Sequence, residues 1–321
     1  MKRLFSIAAL ISLTLFAASC EKDTVSSNEN VQFNVVVPAQ PATRALMSDG
    51  TTANELYYEV FVANELMYEG VIDALPTLNS NGYRQFAFEL QLVKGQEYDI
   101  LFWAQKKGTG YYNTTDLRAV STDYAGALAN DEARDAFYGV LKGYDVADGD
   151  QTVNLTRPFA QINCAITPAD WNTVTPFIKN GLKSKYVMSE LPTTFNVYTG
   201  DVIAGATVKD VVMDLNLSPV SETTYTNDVI NYNNTDYTWV AMAYVFAPAA
   251  GNSIDIKAHF VHDKNNSTSP IEVEVSSVNT KRNYKTNIFG QMLSVINDIT
   301  VVVVPGFENE NNSDPDYIIN K

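Results

Sequence analysis

Apolar and polar residues alternate along much of this chain with a period of two, the pattern of a strand with one buried face. Val31, Phe33, Val35 and Val37 alternate with Gln32 and Asn34, and Pro38 stops the run. Residues 56–62 and 66–71 flank Ala63-Asn64-Glu65, which predicts a hairpin. Phe86, Phe88, Leu90 and Leu92 alternate with Gln85, Ala87, Glu89 and Gln91, and Lys94-Gly95 then turns the chain into a strand over 98–104. Residues 105–135 are loop-rich. Asn130 as a cap and the acids after it predict a short helix over 130–137. Residues 151–155 read as one more strand.

The second half repeats the style without repeating the sequence. Strands are expected over 159–166, 195–198, 236–246, 284–292 and 299–304, with a mixed segment and a short helix within 168–185. Ile254, Ile256, Ala258 and Phe260 alternate, as do Ile271, Val273 and Val275. Arg157 stands before Pro158, which biases it to an extended conformation and starts the next strand cleanly. Thr286-Asn287-Ile288 followed by Gly290 fits a strand that bends or bulges at the glycine. No stretch keeps a helical period. The pattern predicts an all-β chain of two tandem antiparallel β-sandwiches, Ig-like in strand number and divided near residues 156–158.

Composition narrows the function. The chain has 321 residues, room for about two domains. Hydrophobic residues make up 45%, enough to bury a core. Lys and Arg total 22 against 37 Asp and Glu, a net charge of −15, so nucleic acid is not an expected partner. Two cysteines exclude a disulfide scaffold, and two histidines leave little for imidazole chemistry. No nucleophile elbow, Walker-type or dinucleotide-binding sequence is present, and Gly108-Thr109-Gly110 lacks the rest of such a motif. His259 and His262 point to opposite faces on a strand, so they form no natural chelate. Asp145, Asp148 and Asp150 surround Gly149 without the terminal bidentate Glu of a calcium loop. Trp103 and Trp239 lie in apolar strand patterns and read as core. No catalytic residue, metal or cofactor is expected, and the chain reads as a non-enzyme.

The N-terminus is an address. Lys2 and Arg3 precede an almost wholly apolar run over 4–18, the length of a secretory signal and too short for a confident membrane span. Ala17-Ala18-Ser19-Cys20 resembles a bacterial lipobox. That resemblance implies cleavage before Cys20, a diacylglyceryl anchor on its thiol and outer-membrane lipid as a partner. Several acyl chains hold a protein durably on a membrane. The acidic Glu21-Lys22-Asp23 resembles a surface-export signal. Cys164, on one strand face with Ile162 and Ile166, is expected to be a buried core thiol.

Several motifs converge on one family. Leu155-Thr156-Arg157-Pro158-Phe159-Ala160-Gln161-Ile162, the run Arg282-Asn283-Tyr284-Lys285-Thr286-Asn287-Ile288-Phe289-Gly290, Val304-Pro305-Gly306-Phe307, Thr43-Arg44-Ala45 and the lipobox together resemble the fimbrillin-like surface lipoproteins of Bacteroides-group bacteria. The resemblance spans essentially the whole chain. It implies two transthyretin-like sandwiches and a role in fimbriae and adhesion. It divides the chain into a signal peptide (1–20), a leader with a strand and linker (21–44), sandwiches over 45–156 and 157–307, and an acidic tail (308–321).

In that family a trypsin-like protease cuts the lipidated precursor after an Arg. Loss of a strand opens a groove, and a strand from another subunit fills it. Here the resemblance implies cleavage between Arg44 and Ala45, with Val31, Phe33, Val35 and Val37 as the plug strand. Burying those four side chains is worth roughly 6–12 kcal/mol before entropy. Residues 299–304 are expected to complete their own domain, and the tail beyond is acidic, which suits an accessory, tip or anchor subunit, or a relative that does not polymerise. Other fimbrial subunits and an adhesion ligand are the implied partners. The alternative reading is a glycan-binding surface lipoprotein that serves an outer-membrane uptake system, marked by an exposed aromatic platform.

Overall fold

The structure, a computed structural model, describes residues 27–38, 50–80, 82–174, 185–215, 229–260, 271–294, 297–305 and 317–320. Cys20, Arg44, Ala45, His262, the lipobox and residues 306–316 lie outside them. The first half contains β1 (Asn28–Val37), β2 (Glu55–Val62), β3 (Glu65–Ile72), β4 (Thr77–Leu78), β5 (Arg84–Val93) and β6 (Glu97–Gln105). It continues with β7 (Tyr112–Asn113), β8 (Val120–Thr122), β9 (Leu128–Ala129), β10 (Phe137–Asp145) and β11 (Gln151–Asn154). Next come β12 (Phe159–Ile166), the helix α1 (Pro168–Val174), β13 (Lys185–Met188), β14 (Leu191–Pro192), β15 (Thr194–Asn196), β16 (Asp201–Val202), β17 (Thr207–Val208) and β18 (Val211–Leu215). The last group is β19 (Val229–Tyr232), β20 (Thr235–Phe246), β21 (Asn252–Phe260), β22 (Ile271–Thr280), β23 (Tyr284–Gln291), β24 (Asn297–Pro305) and β25 (Tyr317–Asn320).

Four sheets carry the architecture. The order β11-β1-β5-β4 faces the order β10-β6-β2-β3 across a core of Phe33, Val35, Leu56, Phe86, Leu92, Ile100 and Phe102. In the second half β19-β20-β12-β23-β24-β25 faces β22-β21-β13-β18-β9. Ile162, Cys164, Tyr186, Met213, Ile256, Val273 and Ile288 fill the space between them. The all-β expectation holds, with one difference in direction. Among the described residues three pairings run parallel: β1 with β11, β12 with β23, and β9 with β18. Partners so far apart in sequence carry no local turn signal, so alternation alone could not show their direction.

Local rules account for many details. Ala63 and Asn64 take left-handed backbone (φ 48° and 72°), which the tight β2–β3 hairpin turn requires. The β23–β24 register shifts between Phe289 and Gln291, placing the irregularity at Gly290. On β22, Ser277 has φ 57° and the register slips opposite Asp255, which brings Val278 back inward after Val273 and Val275. The helix expected over 130–137 is instead one 3₁₀ turn, Glu132–Arg134, capped by Asp131. Asn130 is left-handed (φ 57°), and its side-chain oxygen accepts from the Met242 amide at 2.6 Å, so it pairs with β20 rather than capping a helix. Phe137 opens β10.

The halves share a third core. Phe61, Leu101, Trp103, Tyr112 and Tyr138 pack against Phe159, Phe195, Met242, Tyr244 and Phe246. This explains why β6 is buried on both faces: Ile100 and Phe102 face the first sandwich core while Leu101 and Trp103 face the junction. Short strands cross the same boundary, β8 pairing with β15 and β9 with β18.

Candidate functional site

The candidate site is the slot that β1 occupies. Over its whole length β1 pairs antiparallel with β5, from Asn28 opposite Val93 to Val37 opposite Arg84. On its other edge Phe33–Val36 pair parallel with β11. Val31, Phe33, Val35 and Val37 are each buried, at 2%, 0%, 0% and 0% exposure, so the alternation marked the inward face correctly. Phe33 is the centre of the slot. Its ring lies 5.8 Å from Phe88, 6.3 Å from Phe102 and 5.7 Å from Tyr144. Offset and edge-on aromatic contacts of this kind add about 0.5–1.5 kcal/mol per pair beyond area burial.

Polar contacts fix the register of β1. The Gln32 amide donates to Asp150 Oδ1 at 3.0 Å, and the Leu155 amide donates to the Val36 carbonyl at 2.9 Å. Lys94 meets Glu29 at 3.3 Å at the exposed start. At the other end Arg84 lies opposite Val37 and donates to the Thr51 carbonyl at 2.7 Å. The chain therefore leaves and re-enters the described fold beside the same arginine, bracketing the segment that contains Arg44.

The other residues singled out in the sequence fall elsewhere. Asp145 and Asp148 close a capping box on the 3₁₀ turn Val146–Asp148, while Asp150 holds β1. Their oxygens already accept backbone N–H groups. His259 sits 3.0 Å from Glu272 on the neighbouring strand. Among the described residues there is no group of three or more His, Cys, Asp or Glu placed to hold a metal. Trp103, Trp171 and Trp239 are all buried. Cys164 is buried, and desolvation pushes its thiol up to about 12, although a hydrogen bond with Tyr186 opposes the shift.

The burial of several charged groups escaped the sequence reading, among them the Arg157–Asp135 pair and Glu59. Arg157 donates to both carboxylate oxygens of Asp135, at 2.8 and 2.7 Å, and the pair is almost fully buried. Burial alone would lower the Arg157 pKa, but Asp135 beside it outweighs that and raises it. Glu59 is buried on β2 and accepts from the Leu117 amide at 2.9 Å. Desolvation, with Asp116 and Glu69 nearby, lifts its carboxyl to about 7 against the pull of the Leu117 hydrogen bond and Arg118. Sequence alternation marks Glu59 only as a polar residue within a strand.

The chain matches the model of DUF6562, a family of unknown function, over residues 22–320. No curated protein matches it. Among solved structures, a fimbrial assembly protein from Parabacteroides distasonis is similar at TM-score 0.50 and 12% identity, covering 92% of this chain and 100% of that one. A protein named for cell adhesion from Bacteroides uniformis gives 0.48 at 11% identity, with 85% and 96% covered. A protein named as an adhesin from Bacteroides thetaiotaomicron gives 0.49 at 10% identity, with 88% and 99% covered. At 12% identity, the likeness to the first of these is one of fold.

Proposed function

The chain belongs to the DUF6562 family, and from that premise and its fold we propose that it is a non-enzymatic, lipid-anchored protein of the outer cell surface, acting in fimbria assembly and adhesion. The observation that carries this reading is β1. It is an N-terminal strand buried in the middle of a sheet, and the segment after it contains the Arg44–Ala45 bond. Cleavage there would sever β1 from the body. Its departure would uncover Phe86, Phe88, Phe102 and Tyr144 and leave open backbone edges on β5 and β11. An extended strand from another subunit would satisfy both, with main-chain bonds for affinity and alternate side chains for fit. Cys20 would hold the precursor to outer-membrane lipid. The fold shared with a protein named for fimbrial assembly supports the reading.

The N-terminal residue of protein recovered from the native cell surface tests it. A lipidated Cys20 is expected in the precursor and Ala45 in the mature form. Cys20→Ala should abolish lipid labelling, and Arg44→Ala should block maturation. Mature protein that still begins at Cys20 refutes the cleavage.

A further inference from the structure

Positive charge is scarce in this chain, with 22 Lys and Arg against 37 Asp and Glu. Lys94, Lys107, Arg157, Lys209 and Lys257 each meet a carboxylate. Arg118, Lys142 and Arg282 differ. Among the described residues none of the three forms an ion pair. They gather on aromatic rings where the two halves meet. The Arg118 guanidinium lies 3.8 Å from the Phe61 ring centroid and 5.1 Å from that of Tyr198. The Lys142 ammonium lies 4.2 Å from the same Tyr198 ring, and Arg282 lies 5.3 Å from Tyr138. Gly200 lies two residues after Tyr198 and approaches Tyr138 and Arg282. A Cβ there would stand 3.1 Å from Tyr138 Oη and 3.5 Å from Arg282 Nη1, and the backbone has φ 67°. Tyr138, Tyr198 and Arg282 therefore converge on one turn.

A ring face positions a cation without neutralising it, whereas a carboxylate does both. Among the described residues, Nε of Arg118 and Nε of Arg282 are also buried without a hydrogen-bond partner. Burial lowers the Arg282 pKa. Such a cluster is disfavoured in the free protein and is relieved when an anion binds. At physiological salt the Debye length is about 8 Å, so distant acids are screened, while Glu59 interacts with Arg118 and Asp116 caps the turn that carries it.

We propose that Arg118, Lys142 and Arg282 form a binding site for an acidic saccharide carrying sulfate or carboxylate groups. The cations stand on separate elements: the 3₁₀ turn Leu117–Ala119, β10 and the β22–β23 turn. That spread suits charges distributed along a ligand rather than one isolated phosphate. Tyr138 Oη and the Asn64 side chain, which accepts weakly from Arg118 at 3.5 Å, place neutral hydrogen-bonding groups among the charges. An acidic saccharide presents the matching mixture of anions and hydroxyls. This site is separate from the β1 slot and does not depend on strand exchange.

The test is calorimetric titration of the full chain with a heparin tetrasaccharide, beside maltotetraose and tetraglutamate. Heparin tetrasaccharide should bind and maltotetraose should not. Affinity should fall at least tenfold between about 0.05 M and about 0.5 M salt. It should also fall at least tenfold in the double variant Lys142→Gln/Arg282→Gln. Lys142→Glu, at an exposed position, should weaken binding as well and keeps the test decisive if the double variant loses its fold. Gly200→Ala should weaken binding by pressing on the Tyr138 hydroxyl, 3.1 Å from the added Cβ, and by straining a backbone at φ 67°. Absence of heparin binding, affinity unchanged in these variants, or equal binding of tetraglutamate overturns the proposal.

Discussion

Arg157 stands at the junction of the halves, bonded through two nitrogens to Asp135 and stacked 4.6 Å over the Phe137 ring. A bidentate pair this buried costs little while complete and much when broken, because the surviving charge has no water. Arg157→Ala should cost about 3–5 kcal/mol in urea unfolding, and pairing it with Asp135→Leu should recover much of that loss. Glu59 gives a prediction with the opposite logic. Its carboxyl is lifted from 4.5 to about 7, so the folded protein binds a proton that the unfolded chain releases. The stability from this group is present below about pH 4.5 and is lost as pH rises through about 7. Glu59→Gln should therefore raise the melting temperature at pH 8 and leave it nearly unchanged at pH 4, with the Leu117 amide still bonded. Neither role was legible in the sequence. Arg157 showed only its proline neighbour, and the burial of Glu59 depends on a loop 58 residues away.

At the scale of the element, β1 is a strand whose pattern and environment agree. Its apolar positions were readable because one face meets the core and the other is half-buried, which writes the burial into the spacing. Phe33→Ala should cost about 3–5 kcal/mol, as other large-to-small core changes do, and Gln32→Ala much less. Thermal unfolding of the intact chain measures both. β6 teaches the converse. Both of its faces are buried, so its sequence carries a continuous apolar run and its alternation says little. The segment after Asn130 misled for a third reason. A cap and nearby acids favour a helix locally, but the Asn130 side chain donates to the Val240 carbonyl and accepts from the Met242 amide, which binds it to β20.

At the scale of the molecule, the aromatic junction couples the halves. Trp103 of β6 meets Phe195 and Phe246 at 6.4 and 6.3 Å, and Phe246 stacks on Phe159 at 5.1 Å. A core built from both halves should make them unfold together. Calorimetry should show one transition, and Phe246→Ala should lower it as a whole rather than split off one half. The sequence alone determined the all-β class, the inward face of β1, the bulge at Gly290 and the buried Cys164. Each is set by spacing over a few residues, where sterics and burial act locally. The tertiary structure decided which strands run parallel, the Arg157–Asp135 pair, the ionisation of Glu59 and the convergence of three cations on two tyrosines. Those features join residues tens to more than a hundred positions apart. Their free energies come from exclusion of water and from long-range pairing, which no local pattern records.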